Sequence, residues 1–405
     1  MINFGKIKIK TKVNFLLKNG FFTPQIILVL ILSYIFNFRF YSFNVSRIGH
    51  LSEDLFVFLN SKKNKRCIIF LSHQYNGVCN KELLGIIKKR FFFYPSFLFE
   101  QPINIIKKIR YRYGIFNSIN LVNKDFKKSG FENYNLKPIK LSYTEEQNKI
   151  FNDFLRANKL SKGKYVCFSL WEMGHLKDKR QFSHHNHRLS NSNFKNYYKS
   201  INYLTQNGFK VLRIGINSSI KLNINHKNYI DFSYNVKKNE ILDIMLLNYC
   251  KFFVTTTGGL DYLAFMFNKP MIINTPIVDN VFNEKKNIIY LLRPHYCTKK
   301  KSIINIREIM MKRNLGFLPK YYFLKKNHIK ILDNDKNEIL SSIKDLLMLI
   351  NDKKKYKKYY KISSIYWKNY LLYINKYHKN LLPFYKKIKC LYSPSLIKKN
   401  LHFYK

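Results

Sequence analysis

Four short apolar runs in the second half of the chain, YVCFSL (165–170), FKVLRIG (209–215), KFFVTTT (251–257) and MIINTP (271–276), are separated by stretches of helical length. The intervening segments FKNYYKSINYLTQNG (194–208), NEILDIMLLNYC (239–250) and LDYLAFMFN (260–268) carry helical patterns. Short apolar strands alternating with helices are the signature of βαβ units and a parallel sheet covered on both faces. Gly208 and Pro270 stand where two of these helices must stop. The pattern predicts a doubly wound α/β domain. The first half repeats it less clearly. RFYSFNVS (39–46) and RCIIFLS (66–72) read as strands, and RIGHLSEDLFVFLN (47–60) and residues 81–90 read as helices. Residues 130–150 hold Gly130, Pro138 and polar residues, a linker ahead of the amphipathic helix TEEQNKIFNDFLRANKL (144–160). The expected organisation is a basic and apolar segment at 1–38, α/β domains at 39–140 and 141–330, and a helical Lys/Tyr-rich C-terminal extension at 331–405.

Composition narrows the classes. With 405 residues, 46% of them hydrophobic, wholesale disorder is excluded and two or three domains are expected. Cys67, Cys79, Cys167, Cys250, Cys297 and Cys390 lie far apart with no CxxC pair, which excludes a zinc ribbon and points to a reducing compartment. The formal net charge is +50. Abundant Lys, Asn, Ile, Phe and Tyr mark codon drift toward A and T, but that drift does not require scarce acidic residues. The imbalance favours anionic partners: nucleic acid, lipid headgroups or phosphorylated substrates. Residues 19–38 carry no charge and centre on PQIILVLILSYIF, flanked by Lys6, Lys8, Lys10, Lys12 and Lys18 before and Arg39 and Arg47 after. Three readings are open: a buried first helix and strand, an interfacial membrane-associating segment, or a span. Positive charge on both flanks places both ends on the cytoplasmic side and weakens the span.

The chemistry concentrates in KFFVTTTGGLDYLAFMFNKPMIINTP (251–276), where a buried strand ends in three threonines, turns through Gly258-Gly259 and opens a helix. Ligands of open parallel sheets bind at the carboxyl ends of strands, and glycines at a helix start let a diphosphate approach backbone N–H groups. The alternative is a structural strand–helix turn with a Thr as N-cap. The stretch resembles the donor-binding turn of GT-B glycosyltransferases. Over residues 45–280 the chain resembles a family of bacterial GT-B-like glycosyltransferases associated with surface polysaccharide biosynthesis. The matching blocks occur in order. They are Arg47-Ile48-Gly49-His50-Leu51; the strand Tyr165–Phe168; Asn191-Ser192 with Asn196-Tyr197; Val211–Gly215; and Asp243, Cys250 and Thr257–Asp261. The family's Gly-Ser-Gly turn is Thr-Gly-Gly here, its Arg-Asp after the first strand is Trp171-Glu172, and its His-Asp-x-Arg segment is His184–Arg188 with a short insertion.

The resemblance implies two Rossmann-like doubly wound domains, 39–140 on the acceptor side and 141–330 binding a nucleotide-sugar. His50 follows a strand at a helix start, where a general base for an acceptor hydroxyl would stand; its alternative is a residue bonding a carbonyl. Glu172 is a second catalytic candidate, as base or as orienter of a sugar hydroxyl, against a surface carboxylate. Arg213 is expected to meet the diphosphate or to form a structural ion pair. Thr257, Gly258 and Gly259 form the donor turn. Asp261 either accepts hydrogen bonds from sugar or ribose hydroxyls or compensates the helix dipole. Arg47 pairs with phosphate or with Glu53. His187 and Arg188 contact phosphate or sugar, or lie in a solvated loop. Asp243 and Cys250 read as structural.

The expected function is transfer of a sugar from a nucleotide-sugar to a polysaccharide or lipid-linked acceptor, without metal or cofactor, in the cytoplasm and peripherally at the inner face of the cell membrane. The expected partners are the nucleotide-sugar, the glycan or lipid-linked acceptor and an anionic membrane surface, with no specific nucleic acid. Two alternatives are a non-enzymatic basic protein binding RNA or anionic membranes, and a transferase of another activated group on the same fold. No RNA-recognition motif is visible, which weighs against the first.

Overall fold

A computed structural model describes residues 20–60, 67–72, 78–113, 137–170, 192–215, 218, 221–234, 239–276, 287–311, 321–377, 379, 382–386 and 390–404. The chain divides into two compact units, Met1–Ser129 and Gly130–Lys405.

The first unit begins with helix α1 (Thr23–Tyr34), followed by strand β1 (Arg39–Asn44), helix α2 (Ile48–Asn60), strand β2 (Cys67–Ser72), helix α3 (Lys81–Arg90) and helix α4 (Ser96–Tyr113). β1 and β2 pair in parallel from Arg39↔Cys67 to Asn44↔Ser72. Among the described residues this is a two-stranded sheet, not the full doubly wound sheet expected for 39–140. Much of the rest of that stretch, 114–136, lies outside the described residues. α3 starts where sequence reading put it, because the Asn80 side chain caps it by accepting from the Leu83 N–H at 2.7 Å. α1 packs Val29 with Phe40, Phe70, Phe99, Ile103 and Ile106, while Ile26, Leu30 and Leu32 border that cluster. Among the described residues no helix is long and apolar enough to cross a membrane.

The second unit is built on a seven-stranded sheet. Its elements are α5 (Glu145–Ala157), β3 (Tyr165–Ser169), α6 (Tyr198–Gln206), β4 (Lys210–Arg213), β5 (Tyr229–Asp231), α7 (Glu240–Tyr249), β6 (Phe252–Thr255), α8 (Leu260–Met266), β7 (Met271–Thr275) and β8 (Ile288–Leu292). A small antiparallel sheet of β9 (His295–Cys297), β10 (Ser302–Ile303) and β11 (Ile329–Ile331) follows, then α9 (Lys336–Asn351), α10 (Lys355–Tyr377), β12 (Leu391–Tyr392) and α11 (Pro394–Lys399). The large sheet runs β12-β8-β7-β6-β3-β4-β5, parallel at every pairing. From β5 to β8 this is the Rossmann order, with the reversal of direction between β3 and β6.

Burial explains the strand sequences. β3, β6, β7 and β8 are covered on both faces, so they read as near-continuous apolar runs. One face packs Ile201 and Leu204 of α6 and Ile339, Ile343, Leu346 and Leu349 of α9 on Val166, Phe168, Val211, Phe252 and Val254. On the other, the Tyr165 hydroxyl donates to the Leu246 carbonyl of α7 at 2.9 Å, and Phe151 of α5 stacks on Tyr249. α6 stops where expected, Gly208 taking φ +81°.

The tail differs from the extension expected at 331–405. It is mostly helical, but α9 builds one face of the core and β12 adds a strand beside β8, with Leu391 opposite Ile289. Asp345 holds this end together: its Oδ2 accepts from the Ser393 hydroxyl at 3.0 Å and its Oδ1 from the Ser395 hydroxyl at 2.8 Å. Trp367 of α10 donates its indole N–H to the Cys390 carbonyl at 2.9 Å.

Candidate functional site

The reversal between β3 and β6 brings three strand ends together: Ser169, Arg213 and Thr255. The chain leaves β6 through Thr256, whose N–H donates to the Ser169 carbonyl at 3.3 Å and so extends the pairing with β3 by one step. Thr257 then takes φ +65°, a left-handed conformation that is unfavourable for a β-branched residue. Its hydroxyl donates to the Asn274 carbonyl at 3.1 Å, tying the strained residue to the end of β7. The N-cap of α8 is Gly259, at φ −63° and ψ −29°, and no side chain caps it. The turn's left-handed position is therefore Thr257 and not a glycine.

Asp261 is the brace of the turn. It is 3% exposed; its Oδ1 accepts from the Thr255 hydroxyl at 2.6 Å and its Oδ2 from the Gly258 N–H at 2.9 Å. Burial pushes its carboxyl up to about 7, against the lowering effect of those two hydrogen bonds. Both Asp261 oxygens accept hydrogen bonds inside the protein, from Thr255 and from Gly258. The Gly258 N–H is not bare, because Asp261 accepts it. Thr257 is not the N-cap either.

Arg213 stands at the end of β4. Its guanidinium is buried, donates to Asp231 at 3.3 Å and to the Ser218 hydroxyl, and stacks over the Phe194 ring at 4.8 Å. Asp231 accepts in turn from the Leu222 N–H at 2.9 Å and the Ser233 hydroxyl at 3.1 Å. The structural ion pair, one of the two roles open from sequence, is the one formed. Asp243 is the buried structural partner expected: it accepts from the Gly215 N–H at 3.2 Å. Gly215 itself sits at φ +114°, and a Cβ there would lie 3.3 Å from the Ser169 hydroxyl oxygen.

Sequence reasoning missed Asn274. It is 1% exposed, receives the Thr257 hydroxyl on its backbone carbonyl, and donates its side-chain amide to the Tyr197 hydroxyl at 2.8 Å. An Asn in the otherwise apolar run MIINTP was the available signal. Tyr197, in the 3₁₀ turn Phe194–Tyr197 before α6, is fully buried, and burial pushes its hydroxyl up to about 12.

In the first unit, His50 is the third residue of α2. Its ring is 44% exposed and its Nδ1 lies 3.7 Å from Glu53 Oε2. Arg47 lies just ahead of α2, where its carbonyl accepts from the Leu51 N–H at 3.0 Å. The end of β1 is fixed by Asp54, whose Oδ2 accepts from the Asn44 N–H at 2.7 Å. Glu172, His187 and Arg188 lie outside the described residues. Among the described residues no three His, Cys, Asp or Glu side chains gather in a way that could hold a metal ion.

No protein-family model and no curated protein matches the chain. Solved structures do. The chain is similar to a glycosyl transferase family 9 protein from Veillonella parvula DSM 2008 at 10% identity and a TM-score of 0.41, covering 63% of this chain and 85% of that one. It is similar to E. coli ADP-heptose LPS heptosyltransferase II at 14% identity and a TM-score of 0.32, covering 58% and 84%. For E. coli heptosyltransferase WaaC with ADP-2-deoxy-2-fluoro heptose the values are 10% and 0.30, covering 71% and 98%. At these values the likeness assigns neither a fold family nor an activity.

Proposed function

We propose that the protein is a glycosyltransferase that moves a sugar from a nucleotide-sugar to a polysaccharide or lipid-linked acceptor, in the cytoplasm at the inner face of the cell membrane. The observation that carries the reading is the turn 256–259, which stands at the reversal point of a Rossmann-order sheet with a strained threonine and two glycines. Strain at such a point costs about 1–3 kcal/mol and is retained where function needs the backbone shape. In this reading the donor lies over Gly258 and Gly259, with Asp261, Thr255 and Asn274 holding the turn behind it. Arg213 supports the strand end and does not meet the diphosphate. His50 is proposed to take the acceptor proton. Glu172, Arg47, His187 and Arg188 remain proposed contacts to the sugar, the phosphates or the acceptor. The two-domain GT-B architecture belongs to the same proposal.

The test is a thermal-shift screen against UDP-, GDP-, ADP- and CMP-linked sugars. A ligand at about 100 times its dissociation constant stabilises by about 2.7 kcal/mol, enough to read out. Gly259→Val keeps an allowed backbone, since φ −63° suits any residue, but adds bulk on the turn. It should abolish the shift while leaving the unliganded transition close to wild type. No shift with any donor, or an unchanged shift in Gly259→Val, would sink the reading.

A further inference from the structure

Helix α1 is apolar on both sides, and among the described residues only one side packs against the core of the first unit. Val29 and Ser33 are buried, and Ile26, Leu30 and Leu32 border the core of the first unit. The opposite face carries Ile27, Leu28, Ile31, Tyr34 and Ile35 at helical spacing, with exposures from 39% at Leu28 and Ile31 to 70% at Ile35. A soluble surface helix turns charge toward water; this one turns aliphatic side chains and an aromatic ring. Phe21, 82% exposed, continues the face at its start.

We propose that this face docks in the plane of an anionic lipid bilayer, with the aliphatic side chains below the headgroups and the flanking cations among them. The described helix is too short to span: 12 residues make roughly 18 Å, against a hydrocarbon core of about 30 Å. Charge selects lipid over a second copy of the chain. Residues 1–52 contain no Asp or Glu, and the basic residues Lys6, Lys8, Lys10, Lys12, Lys18, Arg39 and Arg47 flank the helix. Two chains of net charge +50 meeting through such borders repel each other, whereas phosphate headgroups attract them and release counterions. Tyr34 at the helix end suits the interfacial level, where an aromatic ring has an apolar body and a polar tip. The inference is independent of the reaction proposed above.

The experiment is co-sedimentation with vesicles of phosphatidylcholine alone and of phosphatidylcholine with an equal part of phosphatidylglycerol. The full chain should bind the anionic vesicles and stay partly bound at about 1 M salt, where the Debye length falls to about 3 Å. The double variant Ile27→Asp with Ile31→Asp should lower partitioning at least about tenfold, because two Ile side chains lose burial. In a separate variant, Tyr34→Trp, the added tryptophan emission should be quenched by lipids brominated on the acyl chains. Complete release of the wild type by salt would overturn the proposal, as would wild-type binding by a folded double variant. Absence of quenching overturns it even if the double variant fails to fold. A lipid-free dimer that the double variant abolishes would make a second copy the occupant and overturn it too.

Discussion

Asp261→Asn isolates one buried ionisation whose effect on stability has a calculable sign. The carboxyl sits at about 7 in the folded protein against 3.8 as the ordinary value, raised by burial and held down in part by Thr255 and Gly258. A group raised on folding contributes stability fully below its unfolded value and loses that contribution as pH climbs through the folded value. The wild type is therefore weakened progressively between about pH 4 and pH 7, where the carboxyl ionises in the unfolded chain but stays protonated in the folded one. Between about pH 5 and pH 8 the loss is about 2–3 kcal/mol. Asn keeps both contacts, accepting the Gly258 N–H and donating its amide to the Thr255 hydroxyl oxygen, but cannot ionise. Denaturant unfolding of both proteins, followed by the fluorescence of Trp171 and Trp367, reports on the second unit, where both tryptophans lie. Taking the difference between variant and wild type at each pH cancels the other titrating groups of this strongly basic chain. The variant should gain about 2–3 kcal/mol relative to wild type over that interval. A difference that does not change with pH would refute the buried brace. So would loss of donor binding in a variant of unchanged stability, the phenotype of a sugar-contacting carboxylate.

Gly215→Ala should destabilise the second unit by about 1–3 kcal/mol, since φ +114° is closed to L residues and the new Cβ would press on Ser169; unchanged denaturation would show that the strand end relaxes at no cost. Arg213→Met should cost about 3–5 kcal/mol by leaving Asp231 buried without its cation. If stability were unchanged and donor affinity fell instead, Arg213 would be a diphosphate contact after all. The transfer proposed above uses no metal, so EDTA should leave the donor-induced thermal shift intact; a shift lost in EDTA and restored by a divalent cation would reverse that part of the proposal.

Strands β3, β4, β6 and β7 were legible because each is a short apolar run whose neighbouring helix ends at a Gly or before a Pro, signals that act within a few residues. α3 and α5 were legible from their helical patterning, and the structure adds their caps, Asn80 and the Thr144–Gln147 box. β12 was not. Two residues, Leu391 and Tyr392, have no period of their own, and they become a strand only because Ile289 and Tyr290 offer an unpaired sheet edge about a hundred residues earlier. In the candidate site, sequence placed Thr257, Gly258, Gly259, Asp261 and Arg213 at the carboxyl edge of the sheet but left each polar side chain with two possible directions. The fold decided inward for Arg213 and Asp261, because a charged group near a buried strand end must find partners or lose its hydration uncompensated. Arg213 found Asp231 and Ser218, and Asp261 found Thr255 and Gly258. α1 shows the converse limit. Its sequence is apolar all round, so composition alone could not say which face the core takes; only the packing of Val29 against Phe40 and Phe99 turns Ile27, Ile31 and Ile35 outward.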